Sequence, residues 1–144
     1  MSSAKLKFYQ KEATKTRMAD ASPYQIIQML MAGVMDNLAL AKGAIQRKDY
    51  ELKAASLSKA SAIFESLRSC LDESVSPELG QNLYALYSYM IERLIDASVE
   101  KETTTAIDEV ASLFREIKSA WDEIPLSAQQ QAEAERSMAH ANVG

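Results

Sequence analysis

The stretch from Asn82 to Ala97 is apolar around an unusually wide sector of the helix that its spacing predicts. Two stripes run along it at steps of three and four residues, the spacing of one helix face. The first stripe holds Leu79, Leu83, Leu86, Met90, Leu94 and Ala97, and the second holds Tyr84, Tyr87, Ile91 and Ile95. At about 100° per residue the two stripes cover roughly half of the helix. We therefore predict a central helix that touches more than one neighbour.

A second helix is predicted to begin at Ser22-Pro23-Tyr24-Gln25 and to end near Arg47. Serine as N-cap, proline at the first helical position and glutamine three residues after the serine are strong helix-start signals. The predicted core stripe is Ile27, Leu30, Val34, Leu38, Ala41 and Ile45, widened by Met31, and an adjacent apolar sector holds Ile26, Met29, Gly33 and Leu40. Glycine at position 33 allows close backbone approach, either by a partner or by a neighbouring helix of the same chain.

Two further helices follow from the same periodicity. One begins after Asp49, which can act as its cap, and runs to about Leu71, with Cys70 expected to be a small core residue. The other follows a threonine cap near Thr104 and ends before Pro125. Four helices with short connections predict an all-α, antiparallel four-helix up-and-down bundle over residues 22–125. Residues 1–21 are expected to form a mobile N-terminal arm with a short helical turn, and residues 126–144 a disordered or loosely helical tail.

Composition and charge narrow the class of protein. The chain has 144 residues with a net charge of −4, which argues against nucleic acid as a partner. Residues 1–17 carry five basic side chains and one acidic, a charge of +4, so the remainder carries −8. A single cysteine fits a reducing cytosol, and no apolar run approaches the roughly 18 residues of a membrane span. The start of the chain lacks the apolar core of a secretory signal. We expect a cytoplasmic protein without membrane insertion.

The side chains that catalytic or metal sites need are scarce in this sequence. His140 is the one histidine, and it lies in the tail with Ser137 three residues before it, so the sequence holds no Glu-x-x-His pair. No His/Cys cluster suits zinc, and no glycine-rich phosphate loop is present. We expect no enzyme activity, no cofactor and no metal.

The helix that begins at Ser22 and the central helix, which begins at Ser76, each carry a second apolar sector. A four-helix bundle needs one core face per helix, so these sectors exceed what its core requires. Three ways of burying that excess are open: against the arm, against a second copy of the chain, or against a foreign helix laid in a groove.

Two segments of the chain resemble a known family. Residues 22–33 read S-P-Y-Q-I-I-Q-M-L-M-A-G and resemble the S-P-x-E/Q-L-I-x-M-L-Y-D/E-G start of the FliS family of flagellin export chaperones. Residues 82–97 resemble that family's N-L-x-x-L-Y-x-Y-M-x-x-R-L-x-x-A block. Met31 and Ala32 depart from the family pattern, and Phe8 and Tyr9 match the paired tyrosines of the family's arm only loosely.

The resemblance implies a chaperone with an antiparallel helical bundle. Such a protein binds the disordered C-terminal region of flagellin, prevents premature polymerisation and aids delivery to the flagellar export apparatus. We predict a monomer or weak dimer, with the export gate as a further possible partner and a structural homodimer as the alternative function. The predicted partner-binding residues are Ile26, Met29, Gly33, Tyr84, Tyr87 and Ile91, and the arm residues predicted to cover the groove are Phe8 and Tyr9.

Overall fold

The part of the chain that the structure describes contains five α-helices from Pro23 onward. The computed structural model describes residues 20–71, 76–100 and 102–143, without the side chains beyond residue 138. The helices are α1 (Pro23–Gln46), α2 (Tyr50–Ser69), α3 (Pro77–Val99), α4 (Thr105–Asp122) and α5 (Leu126–Val143). Phe8 and Tyr9 lie outside the described residues, as does most of the predicted arm.

Two helix starts use the caps that the sequence predicted. Ser22 Oγ accepts a hydrogen bond from Gln25 N at 3.2 Å, and Ser22 N donates to Gln25 Oε1 at 3.0 Å, which completes a capping box. Asp49 Oδ1 accepts from Leu52 N at 3.1 Å at the start of α2. The tight turn before α2 places Lys48 at φ 58°, in the left-handed region that glycine favours.

The first four helices form the predicted bundle. Each packs against two others, in the ring order α1, α2, α3, α4 and back to α1. The pairs run antiparallel: Tyr24 at the start of α1 bonds to Trp121 at the end of α4, and Lys53 at the start of α2 bonds to Glu100 at the end of α3. The all-α bundle is thus confirmed, and short connections between helices enforce its antiparallel order.

An aromatic cluster lies at the centre of the core. Phe64 of α2 meets Phe114 of α4 edge-on at 5.1 Å, and Tyr87 of α3 lies 6.1 Å from Phe64 and 6.4 Å from Phe114. Aliphatic side chains of α1 pack around this cluster, among them Val34 and Leu38. Helices α2, α3 and α4 therefore meet through aromatic rings, and α1 covers these rings with aliphatic side chains.

The buried face of α3 is rotated from the predicted stripe. Tyr87 is only 3% exposed, whereas Leu86 is half-buried and Leu79 is 56% exposed. Gly80, Tyr87, Met90, Leu94 and Ala97 form the buried stripe instead. The wide apolar sector of α3 fits either rotation, and the space beside Phe64 and Phe114 selects the one that brings in the large ring of Tyr87.

The C-cap of α2 differs from expectation, and the first turns of α2 hold a buried charge. Cys70 is exposed, which corrects the prediction of a core residue, because it forms the C-cap at the end of the bundle. Lys53 is buried, and its Nζ donates to the carbonyl oxygen of Glu100. Desolvation lowers the pKa of Lys53, and the charge of Glu100 opposes that shift. The Lys53 ammonium thereby supplies a hydrogen-bond donor to a free backbone carbonyl at the C-terminus of α3, where a positive charge is favourable.

The tail is a helix over Leu126–Val143, where the sequence analysis predicted a disordered or loosely helical segment. Its composition explains the helix, because alanine, glutamine and glutamate have high helix propensity. The segment has no apolar periodicity, which is the signal that indicated the other helices. It packs more thinly on the bundle than the other four helices pack on one another.

Candidate partner-binding surface

Large apolar side chains are exposed along one side of α3. Tyr84 is 48%, Ile95 59% and Val99 75% exposed, and Ile91 is half-buried between them. Their spacing of seven, four and four residues keeps them on one helix face. The stripe leaves apolar area open to solvent along most of the helix.

Arg68 shows which neighbour this stripe adjoins. Its guanidinium carbon lies 5.1 Å from the centroid of the Tyr84 ring, and its Nη1 donates to Ser88 Oγ at 2.9 Å. A guanidinium over an aromatic face is attracted to the ring and holds it in place. Since Arg68 belongs to α2, the exposed stripe runs along the α2–α3 seam.

A second half-exposed apolar sector lies on α1. Ile26 and Met29 are both partly exposed there. Gly33 of the same sector faces α2: a Cβ built on it would lie 3.2 Å from Ile63 Cδ1. In the free protein Gly33 thus permits close packing of α1 on α2, the second of the two roles that the sequence left open. Its contact with a partner stays a prediction.

Tyr87 differs from the other predicted contact residues. It lies in the aromatic core, and burial raises the pKa of its hydroxyl to about 12. A partner would reach this ring only by opening the bundle. The other five predicted contact residues are at least partly exposed, and a partner can reach them from solvent: Ile26, Met29, Gly33, Tyr84 and Ile91.

The exposed outer side of α2 joins these two sectors. Apart from two glutamates and one lysine, the side chains on this side are short; the solvent-facing positions include Glu51, Ala54, Ala55, Ser58, Lys59, Ala62, Glu65, Ser66 and Ser69. We call the combined surface the α2 face: the exposed side of α2 with Ile26 and Met29 on one flank and Tyr84, Ile91, Ile95 and Val99 on the other. Short side chains along its middle let a partner backbone approach closely, and the flanks offer apolar area.

The two seams that involve α4 are bridged by salt bridges, whereas the α2–α3 seam carries the hydrogen bonds of Arg68 to Ser88 and of Lys53 to Glu100 O. Lys42 Nζ lies 2.9 Å from Asp108 Oδ1 between α1 and α4. Arg93 Nε lies 3.2 Å from Glu109 Oε2 between α3 and α4, where Tyr89 also donates to Glu109. Between α1 and α2, by contrast, no side-chain polar pair forms among the residues that the structure describes. The apolar area available to a partner therefore concentrates on the side of α2.

A reciprocal clamp closes α1 onto the end of α4. The Tyr24 and Trp121 rings stack at 5.2 Å with an interplanar angle of 11°. The Tyr24 hydroxyl donates to Trp121 O at 2.7 Å, and Trp121 Nε1 donates to Tyr24 O at 3.2 Å. Gln28 Nε2 adds a bond to Asp122 Oδ1 at 3.0 Å, and hydrogen bonds from Lys118 and then Gln28 lower the pKa of Asp122. This end of the bundle is fixed on the side away from the α2 face.

The described residues contain no group of three or more histidine, cysteine, aspartate and glutamate side chains placed to hold a metal ion. Within those same ranges no helix is both long enough and apolar enough to cross a membrane.

Comparison with known proteins gives the family. The model of the family described as "Flagellar protein FliS" matches residues 5–129. The chain belongs to the FliS family. A flagellar secretion chaperone FliSB of Pseudomonas aeruginosa is 40% identical over 119 residues, which cover 83% of this chain and 94% of the relative. Flagellar secretion chaperones FliS of Vibrio cholerae and Escherichia coli are 39% and 41% identical over 120 residues, which cover 83% of this chain and 88% of each relative. FliS proteins are chaperones and not enzymes.

Sequence reasoning placed this FliS protein in its family but missed several residues of the surface and its surroundings. Arg68 had a local signal, because a basic residue at the polar edge of an apolar stripe often covers a neighbouring ring. The Tyr24–Trp121 clamp joins residues 97 positions apart, so no local pattern indicates it.

Proposed function

We propose that this FliS protein binds the disordered C-terminal region of flagellin in the cytoplasm, prevents its premature polymerisation and aids its delivery to the flagellar export apparatus. Family membership supports the chaperone role, since relatives that cover most of the chain are named flagellar secretion chaperones. The observation that carries the proposal is the exposed apolar area of the α2 face.

The α2 face suits a segment that folds as it binds. Ordering a disordered chain costs about 2–5 kcal/mol of the gross interaction energy, which only a long apolar contact can offset. The α2 face offers apolar side chains on both sides of a helix with mostly short side chains, from Ile26 and Met29 across to Tyr84 and Ile95. An amphipathic segment laid along such a surface buries its apolar face and leaves its polar face in water.

We further propose that the N-terminal arm covers part of this surface when flagellin is absent. The motivation is the charge of +4 on residues 1–17 against −8 on the remainder, together with the aromatic side chains of Phe8 and Tyr9. The α2 face carries the acidic side chains Glu51 and Glu65 but also the basic Lys59, so the charge of this face itself adds only a small attraction for the arm. Exposed pairs contribute only about 0–1 kcal/mol each, so the aromatic rings would provide most of the attachment.

Two tyrosines on the same helix give a matched test of the surface. Tyr84 lies on the α2 side of α3 and Tyr89 on the α4 side, with 48% and 41% of each residue exposed. If the α2 face binds flagellin, Tyr84→Ala weakens binding of a C-terminal flagellin peptide by about tenfold or more, the loss of an interface anchor. Tyr89→Ala leaves the affinity within about twofold, since rim or non-interface truncations cost little.

Equal affinities for the two variants, with both folded by circular dichroism, would contradict this position of the binding surface. The alternative function, a structural homodimer formed through the same apolar area, has its own signature. Sedimentation would then show a dimer that Tyr84→Ala dissociates, with no binding of the flagellin peptide.

A further inference from the structure

The helix α5 extends beyond the match to the FliS family model, which ends at residue 129. It lies over a cavity of about 240 Å³ between the start of α1 and the end of α4. The walls of the cavity on the bundle side include Tyr24, Ile27, Trp121 and Ile124. The aromatic clamp thus forms the floor of an apolar space, and α5 forms its roof.

The roof fills this space poorly. The apolar side chains of α5 that line the cavity are Ala128 and Ala132, and both stay exposed; the other α5 side chains along it are polar, namely Gln129, Glu133 and Arg136. Among the described residues, one side-chain hydrogen bond joins α5 to the preceding segment, from Gln129 Nε2 to Ile124 O at 2.8 Å. An alanine methyl is too short to fill a cavity of this size, so apolar contacts across the cavity contribute little dispersion energy to the packing of α5 on the bundle.

The connection to α4 allows α5 to move as a unit. α4 ends at Asp122, and Pro125 directly precedes α5. Proline interrupts the hydrogen bonds that would otherwise make one continuous helix. An under-packed helix on a short connection opens at low free energy compared with the core of a domain.

We propose that α5 is a lid over the Tyr24–Trp121 cavity, closed in this structure and opening about the segment at Pro125. Closing shields the aromatic clamp from solvent, and opening exposes an apolar cavity at the end of the bundle where α1 begins. This device is independent of flagellin binding at the α2 face, which lies on the other side of α1.

Trp121 is the one tryptophan of the chain, so its fluorescence reports the cavity directly. Acrylamide quenching is measured for the full-length protein and for Ala132→Leu, whose larger side chain fills the cavity only in the closed state. We expect the quenching constant to fall about twofold, because the added apolar area is buried only under a closed lid. Ala132→Asp brings a charge to the same cavity and is expected to raise the constant.

The matched controls are Ala134→Leu and Ala134→Asp, which make the same changes on the exposed side of α5 and carry the same differences in helix propensity. Both controls should leave quenching of Trp121 unchanged. If substitutions at positions 132 and 134 act alike, or if neither substitution at 132 changes quenching, α5 does not cover the cavity.

Amide hydrogen exchange of the unmodified protein gives a second, independent test of whether α5 opens. The lid predicts that amides of α5 exchange much faster than those of α1 and α4, and that Ala132→Leu slows α5 alone. Protection of α5 equal to that of the bundle would show that α5 is a fixed fifth helix and would overturn the proposal.

Discussion

Replacing Phe64 by alanine tests the core on which every surface of the bundle depends. Phe64 is fully buried and contacts rings from two other helices, Phe114 at 5.1 Å and Tyr87 at 6.1 Å. Truncation leaves a cavity between α2, α3 and α4 that none of these helices can fill without moving another. The variant therefore removes the central contact among three helices at once.

The expected cost is large compared with the stability of a domain. Phe→Ala in a core costs about 3–5 kcal/mol, and loss of favourable aromatic geometry contributes about 0.5–1.5 kcal/mol per pair within such totals. Against a typical stability of about 5–15 kcal/mol, this cost removes between a fifth and nearly all of the free energy of unfolding. The midpoint of thermal unfolding should fall by roughly 10–25 °C for a bundle of this size.

Thermal and urea unfolding followed by circular dichroism measure this difference. Leu79→Ala is the control, because Leu79 lies on the central helix but is mostly exposed, and exposed substitutions usually change stability by less than about 0.5 kcal/mol. If Phe64→Ala and Leu79→Ala lower the free energy of unfolding equally, the aromatic cluster is not the centre of the core.

Three further predictions concern local features of the bundle. Tyr24→Phe removes the hydroxyl that bonds to Trp121 O and should cost about 0.5–1.5 kcal/mol in urea unfolding, with no loss if the clamp is absent in solution. Lys48→Gly relieves the left-handed backbone at the α1–α2 turn and should raise stability by roughly 1 kcal/mol, whereas a destabilised variant would contradict that conformation. Hydrogen bonds from Lys118 and Gln28 lower the pKa of Asp122, so the stability they contribute is present above the ordinary pKa of 3.8 and is lost as pH falls through the lower folded pKa. Asp122→Asn should therefore flatten the loss of stability in acid, and an unchanged acid profile would refute this origin.

Local chemistry explains why much of the fold was predictable. The capping box at Ser22 and Gln25 and the cap at Asp49 join residues only three positions apart, so sequence alone indicates where α1 and α2 begin. The spacing of apolar residues then gives the length of each helix, and short connections give antiparallel order.

Features that depend on packing between helices were not predictable in the same way. The periodicity of α3 fits burial of either Leu86 or Tyr87, and the rings of Phe64 and Phe114 decide between them. The spacing of apolar residues along α3 carries no information about aromatic rings that α2 and α4 contribute. The same reasoning explains the difference at Cys70, where the end of the bundle leaves a position on the apolar edge without a neighbour.

The candidate surface was predictable only in part. Excess apolar residues indicated that α1 and α3 each offer a second sector, and the structure shows Ile26, Met29, Tyr84 and Ile91 accessible there. That both sectors flank α2 follows from the ring order of the helices, which the sequence does not contain. The close packing of Gly33 on Ile63 likewise needs the position of both helices.

Isothermal titration calorimetry with a flagellin C-terminal peptide, carried out at several temperatures, tests the central claim most directly. The account predicts one peptide bound per chain, with a negative heat-capacity change from burial of apolar surface on the α2 face. Absence of binding heat at every temperature, together with failure of the peptide to co-elute with the folded protein, would contradict the claim that this FliS protein is a flagellin chaperone.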